Sequence, residues 1–198
     1  MPMNLTKTAQ TLATKSKLEA VARALFSERG FEAVSAEELV AKAKVTRGAL
    51  YHHYNGKEGL FAAVVETLMR ELHTELVRET AGLADPLSAL ERGVGIFLKA
   101  CSEPGVQRIL LVDAPAVLGW QEWRKMDAKY GLGLVRSALT AAMEMQLLHR
   151  QDVDVVAHLL LGAVTEAAML IARSPNPSKA RKAAERTLTA LIESCRIR

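Results

Sequence analysis

The feature that most limits what this chain can fold into is a short grammar that occurs twice in succession. In "VSAEELVAKA", Ser35 is a strong helix N-cap, and Glu38, three residues on, completes a capping box. Val34 before the cap and Leu39 at the fourth helical position have the spacing of a hydrophobic staple. "VTRGALYHHY" repeats the arrangement, with Thr46 as the cap, Val45 before it and Leu50 four positions after it. Two short helices, each pinned at its entry and separated by about three residues, form a helix-turn-helix pattern.

The flanking sequence extends this pattern into an all-α chain. Leu18, Val21, Ala22, Leu25 and Phe26 recur at helical spacing from Lys15, and Gly30 stands just past the end. Residues 1–14, polar and Thr-rich, read as a frayed arm. Asn55-Gly56 is a turn signal, after which Leu60, Phe61, Val64, Val65, Leu68, Met69, Leu72 and Leu76 form one stripe of a long helix reaching about Thr80. Pro86 opens a helix of roughly sixteen residues that ends before "SEPG". Residues 106–118 read as a short apolar piece broken by Pro115, and 119–148 as a long helix that Gly131 and Gly133 bend. Asp152 to Arg173 and Ser178 to Cys195 are the last two helices, divided by "SPNP". No strand pattern stands out.

Composition narrows the class. Aromatics are 5% and apolar residues 49%, a mix rich in helix formers. Cys101 and Cys195 lie far apart without C-x-x-C spacing, which implies neither a disulfide framework nor a zinc ribbon and suits a reducing cytosol. The N-terminus has no apolar signal region, and no stretch of about eighteen apolar residues lacks a charge, so no membrane association and a cytoplasmic location are expected. The net charge of +4 is unevenly placed: residues 1–57 hold nine Lys/Arg and five Asp/Glu, while the remainder holds seventeen of each. A basic segment on a neutral body is the electrostatic footprint of a nucleic-acid-binding head.

At this point the residues resemble a known family. "ALFSERGFEAVSAEELVAKAKVTRGALYHHYNGKEGLF" is similar to the DNA-binding domain of the TetR family of transcriptional regulators. The likeness rests on Phe26, Gly30, the capped Ser35 helix, Val45-Thr46, Gly48, Leu50-Tyr51, Tyr54, Lys57-Glu58 and Leu60-Phe61. It implies an all-α protein of about nine helices. Residues 12–72 would be the DNA-binding domain, with its motif at about 35–54, and residues 73–198 an effector-binding and dimerisation domain. Two positions depart from the pattern. Lys44 stands where Gly is usual in the turn, at a cost of about 1 kcal/mol if that residue is left-handed. Gly56 stands where Ser, Asp or Asn usually caps the next helix.

The resemblance and the residues together give candidate sites. Ser35, Thr46, Arg47, Gly48, Tyr51, His52 and Lys57 are the DNA-binding candidates. Thr46, Arg47 and Gly48 open the second helix of the motif, where base edges are met, and Arg pairs bidentately with guanine. The resemblance suggests phosphate contacts for Tyr51 and His52; Tyr54 packs, and His53 is a surface residue. Lys57 opposes the dipole of its own helix start, a disadvantage that a bound phosphate reverses. The adjacent histidines of "YHHY" lie about 100° apart on a helix, unsuited to one metal ion, so no metal and no cofactor are expected.

The row Trp120, Trp123, Met126 and Tyr130, joined by Phe97, Leu110, Val117 and Met143, is a candidate pocket for a hydrophobic small-molecule effector; ordinary core or dimer packing reads it equally well. Val156, Leu160, Ala163, Val164, Ala167, Leu188, Leu191 and Ile192 are the candidate interface of a homodimer, by the resemblance a four-helix bundle. No nucleophile stands in a recognisable motif with a base and an orienting acid, and "GLGLV" has the wrong spacing for a phosphate loop, so no enzyme is expected. The reading is a ligand-responsive repressor that binds a palindromic double-stranded DNA operator as a dimer. An activator or ligand-independent binder with the same head, and a metal or redox sensor using the histidines and Cys101, are the alternatives.

Overall fold

The computed structural model describes residues 7–197, which form α1 (Lys7–Arg29), α2 (Ala36–Ala43), α3 (Arg47–Tyr54), α4 (Lys57–Thr80), α5 (Pro86–Ala100), α6 (Pro104–Gln107), a π-helical turn (Arg108–Asp113), α7 (Ala114–Leu118), α8 (Trp120–Glu144), α9 (Val153–Arg173) and α10 (Pro177–Ser194). With the run 104–118 taken as one element, the described residues hold nine helical elements. Their single β contact is an isolated bridge between Leu148 and Arg196.

Helix α1 starts at Lys7, eight residues before the expected Lys15, so 7–14 are helical rather than frayed; residues 1–6 of the expected arm lie outside the described residues. Among the described residues, the first buried side chain is Leu18. The turns before it bury no large side chain, and a periodicity argument registers a helix only where one face is buried.

Helices α1 to α3 and the first half of α4 form the head. Phe26, Phe31 and Phe61 meet at its centre, with Phe61 edge-on to both neighbours at centroid distances of 5.2 and 5.0 Å. Leu18, Leu39, Leu50 and Leu60 close the core around them, each fully buried. A Cβ at Gly59 would fall 1.6 Å from the Tyr54 carbonyl oxygen, so α4 crosses the end of α3 in contact with its backbone, an approach that only glycine permits. Both departures fall at positive φ, which Gly56 (φ 108°) adopts freely and Lys44 does not. Lys44 is left-handed, with φ 54°, and caps α2 by donating its backbone N–H to Ala41 O; Asn55 ends α3 in the same conformation, with φ 58°.

The body is built from the second half of α4 with α5, α8, α9 and α10. Helix α5 packs between α4 and α10, and α8 lies against α4, α5 and α9. The expected break at Pro115 does not occur. The backbone widens to a π turn just before it, in which Ala114 N–H donates to Ile109 O, and the chain continues helical to Leu118. A proline in the first turn of α7 needs no N–H partner. Helix α8 passes Gly131 and Gly133 without a break and ends at Glu144, four residues before the expected Leu148. Gly131 is a contact point: a Cβ there would meet Leu161 Cδ1 of α9 at 2.9 Å.

Helix α9 is long and apolar enough, by length and composition, to cross a membrane. In this fold Ala157, Leu161, Val164, Ala168 and Ile171 are buried inside the protein, and α8 and α10 flank it.

Candidate nucleic-acid interface and internal cavity

The head presents one continuous face from α2 and α3. Ser35 and Thr46 sit in extended conformation, and their hydroxyls accept from Glu38 N (3.1 Å) and Ala49 N (3.2 Å), the caps that fix both helix entries. Both residues remain exposed, as do Arg47, Gly48, Tyr51 and His52. The Gly48 backbone is open: a Cβ there would meet nothing nearer than the Thr46 hydroxyl at 3.8 Å. The Arg47 guanidinium lies 5.5 Å from the Tyr51 ring centroid and donates to Glu37 Oε1 at 3.0 Å. An ion pair this exposed is worth little in water, so Arg47 is free to exchange Glu37 for another acceptor. Tyr51 is 48% exposed beside it. Thus six of the seven sequence candidates are exposed on α3 and at the caps of α2 and α3; Lys44 is also exposed, at the turn between the two helices.

Lys57 is a correction. Its ammonium donates to the carbonyls of Phe31 (3.1 Å) and Val34 (3.0 Å) and sits 3.8 Å from the Phe31 ring centroid. It closes the turn between α1 and α2 and faces inward, so its cost at the helix start is offset inside the protein rather than by a phosphate. Tyr54 packs as expected: its hydroxyl donates to Glu19 Oε1 at 2.7 Å, tying α3 to α1. Burial, and then the neighbouring Glu19, push its pKa up. The His52 and His53 rings lie 4.9 Å apart at a tilt of 57°, and no group of three metal-ligating side chains occurs among the described residues.

A cavity of about 370 Å³ lies between α4, α5, α8, α9 and the π turn. Phe97, Leu110, Trp123 and Tyr130 line it, as the sequence suggested; Val117, Trp120, Met126 and Met143 do not. Trp120 is 57% exposed, although its ring lies 4.9 Å from that of Trp123. Val117, Met126 and Met143 pack against the core outside the cavity. The face of α8 that meets the cavity runs through Trp123, Asp127, Tyr130, Leu134 and Ala138. Trp120 and Met126 lie off that face, and the row that joins them to Trp123 and Tyr130 passes over Asp127.

Asp127 is 6% exposed. Its Oδ2 accepts from Arg124 Nη1 at 2.5 Å and lies 3.1 Å from the Thr165 hydroxyl. Burial raises its pKa, opposed by Arg124 and Thr165. Cys101, also in the wall, is fully buried, and its thiol is pushed up to about 12 by burial first and then by Asp127. A neutral, buried thiol is a poor redox sensor.

The cavity wall is bonded to the head by two routes. Tyr130 donates its hydroxyl to Glu66 Oε1 of α4 at 3.0 Å, and Lys129 Nζ reaches the same oxygen at 2.6 Å. On the other side the π turn supplies Leu110 and Leu111 to the cavity, while its last residue, Asp113, accepts from Phe31 N at 2.8 Å and its first, Arg108, donates to Glu28 O. Sequence reasoning missed both routes, because their partners lie 63 to 82 residues apart.

The proposed interface residues divide. Val164, Ala167, Leu188 and Ile192 are buried within the protomer, and Val164 lines the cavity. Val156 and Leu160 are half-buried; Ala163 and Leu191 are exposed. The exposed apolar residues of α9 are instead Val155, Leu159, Ala163 and Leu170, spaced along one side of the helix.

Comparison with known proteins agrees with this architecture. Residues 19–64 match the family described as bacterial regulatory proteins, tetR family, and residues 87–195 match the tetracyclin repressor-like C-terminal domain. The transposon Tn10 TetC protein of Escherichia coli is 31% identical over 141 residues, 71% of each chain. The regulator AcrR of Shigella flexneri is 38% identical over 80 residues, 39% of this chain and 36% of its own. Among solved structures, a TetR-family transcriptional regulator from Pectobacterium atrosepticum superposes with a TM-score of 0.85 at 30% identity, covering 96% of this chain and 97% of its own.

Proposed function

The chain belongs to the TetR family of DNA-binding transcriptional regulators, and on that footing we propose that it represses transcription by occupying a near-palindromic operator as a homodimer. A small, mainly apolar effector entering the cavity releases it. The observation that carries the reading is the pairing of an exposed recognition face with a cavity whose wall is hydrogen-bonded to the same head. Thr46, Arg47 and Gly48 meet base edges at the start of α3; Tyr51, His52 and Lys44 hold phosphates. A ligand touching Leu110, Leu111 or Tyr130 bears on groups bonded to the head and shifts it between packed arrangements. Operator affinity then falls by the free-energy difference between those arrangements.

The second copy docks on the exposed apolar side of α9 and on Leu191 of α10. Four large side chains there, Val155, Leu159, Leu170 and Leu191, are each more than half exposed, and such a patch marks an association surface. A two-fold pair presents two heads about one DNA turn apart. The chain acts in the cytoplasm, where the bacterial operator lies.

The test is selection from fragmented genomic DNA against excess non-specific competitor, at fixed near-physiological salt because phosphate contacts depend steeply on salt. Enrichment of a few fragments sharing a near-palindrome is the expected result. Weak, uniform binding with no enriched motif rejects the operator-reading repressor.

A further inference from the structure

The polar groups around the cavity are one-sided, and their wiring shows it. A carbonyl oxygen only accepts, so the contact between His73 Nδ1 and Tyr130 O at 2.7 Å places the proton on Nδ1. In the neutral ring Nε2 is then a bare acceptor, and His73 lines the cavity. Asp127 lines it too; burial raises its pKa, and in the ionised form that Arg124 at 2.5 Å favours against that burial it is acceptor-only. Both bonds to Asp127 end on Oδ2, and no group among the described residues bonds Oδ1.

The wall's donors, by contrast, are spent on the protein itself. Trp123 Nε1 donates to Leu110 O at 2.8 Å, the Tyr130 hydroxyl to Glu66, and the Thr80 hydroxyl to Leu76 O at 2.8 Å. Thr165 has one proton and two internal acceptors, Leu161 O and Asp127 Oδ2. What remains is the weak thiol donor of Cys101 and the exposed Ser137 hydroxyl. The rest of the lining is aliphatic or aromatic.

We propose that this cavity selects an uncharged, largely apolar molecule bearing a hydroxyl donor, an aromatic alcohol in its simplest form, and rejects acids. The selection rests on the reading of the cavity as an effector site. A hydroxyl donated to Asp127 or His73 satisfies an acceptor that a purely apolar ligand would strip of water and leave unpaired. A carboxylate meets two acceptors and a like charge, with no free strong donor in the inner wall. A cation gains little, because the Asp127 charge is already answered by Arg124 and the ion's own desolvation is costly.

The experiment measures equilibrium dialysis of the full-length protein at pH 8 against four molecules of one shape: naphthalene, 2-methoxynaphthalene, 2-naphthol and 2-naphthoate. The expected order places 2-naphthol about tenfold or more ahead of the ether, with the acid weakest. In Asp127→Asn, whose amide adds a donor, the ratio of naphthol to ether binding falls toward one while naphthalene binding persists. The comparison within the native protein stands on its own if that variant does not fold. Equal binding of alcohol, ether and hydrocarbon overturns the donor requirement and leaves the effector cavity intact, as does tightest binding of the acid. Failure of all four to bind, naphthalene included, removes the effector site itself.

Discussion

Arg47 and Lys57 are both cations of the helix-turn-helix segment, and the structure assigns them opposite duties. Arg47 is held by one exposed carboxylate and one ring; Lys57 is locked onto two backbone carbonyls inside the head. Arg47→Ala is therefore expected to leave unfolding unchanged and to cost about 1–3 kcal/mol of operator affinity, with specificity relaxed at the base pair it reads. Lys57→Ala is expected to lower stability by about 1–2 kcal/mol while the salt dependence of DNA binding stays that of the native protein. Urea unfolding and binding isotherms at several salt concentrations separate the two; a shallower salt slope for the Lys57 variant would restore it as a phosphate ligand. Residue roles were legible where they are set locally, as at the two caps and Gly48. They were illegible where a side chain is claimed by a group distant in sequence, as Lys57 is by Phe31 and Asp127 by Thr165.

Elements followed the same logic. The capped helices α2 and α3 were readable to within a residue because capping boxes and staples are short-range devices. The run 104–118 was not, because the π turn that carries the chain through Pro115 has no sequence signature as strong as proline's own. That turn joins the cavity to the head, so its tie is a place to separate sensing from binding. Asp113→Ala removes the acceptor of Phe31 N. The expected outcome is near-native operator affinity with a weakened response to whatever ligand releases it, read as a smaller ligand-induced rise in operator Kd. A full response would route the signal through the remaining ties, Arg108 to Glu28 and Tyr130 to Glu66. The turn between α2 and α3 gives a second expectation at this scale. Lys44→Gly relieves a left-handed lysine and is expected to raise stability by about 1 kcal/mol. It also removes an exposed charge beside the recognition face, so non-specific DNA affinity falls as the urea midpoint rises.

For the whole molecule, α9 shows both the reach and the limit of sequence reading. A helix apolar on one side declares its buried face by period, but α9 is apolar on two sides, so the period cannot say which side meets the protomer and which a partner. The candidate interface mixes the two sides: Val164 and Ala167 face inward, whereas Leu159, on the outer side, is 69% exposed. The two faces predict different failures. Leu159→Glu combined with Leu170→Glu puts charge on the outer face and touches nothing in the core. It is expected to keep native helicity and thermal unfolding of the isolated chain, to sediment as a monomer, and to lose on the order of a hundredfold or more in operator affinity as the two heads are uncoupled. Val164→Glu buries an unpaired charge at the cavity wall and is expected to unfold the body before any change in assembly is seen. If the outer-face variant stays dimeric at native affinity, the partner sits elsewhere, and the apolar side of α9 needs another occupant.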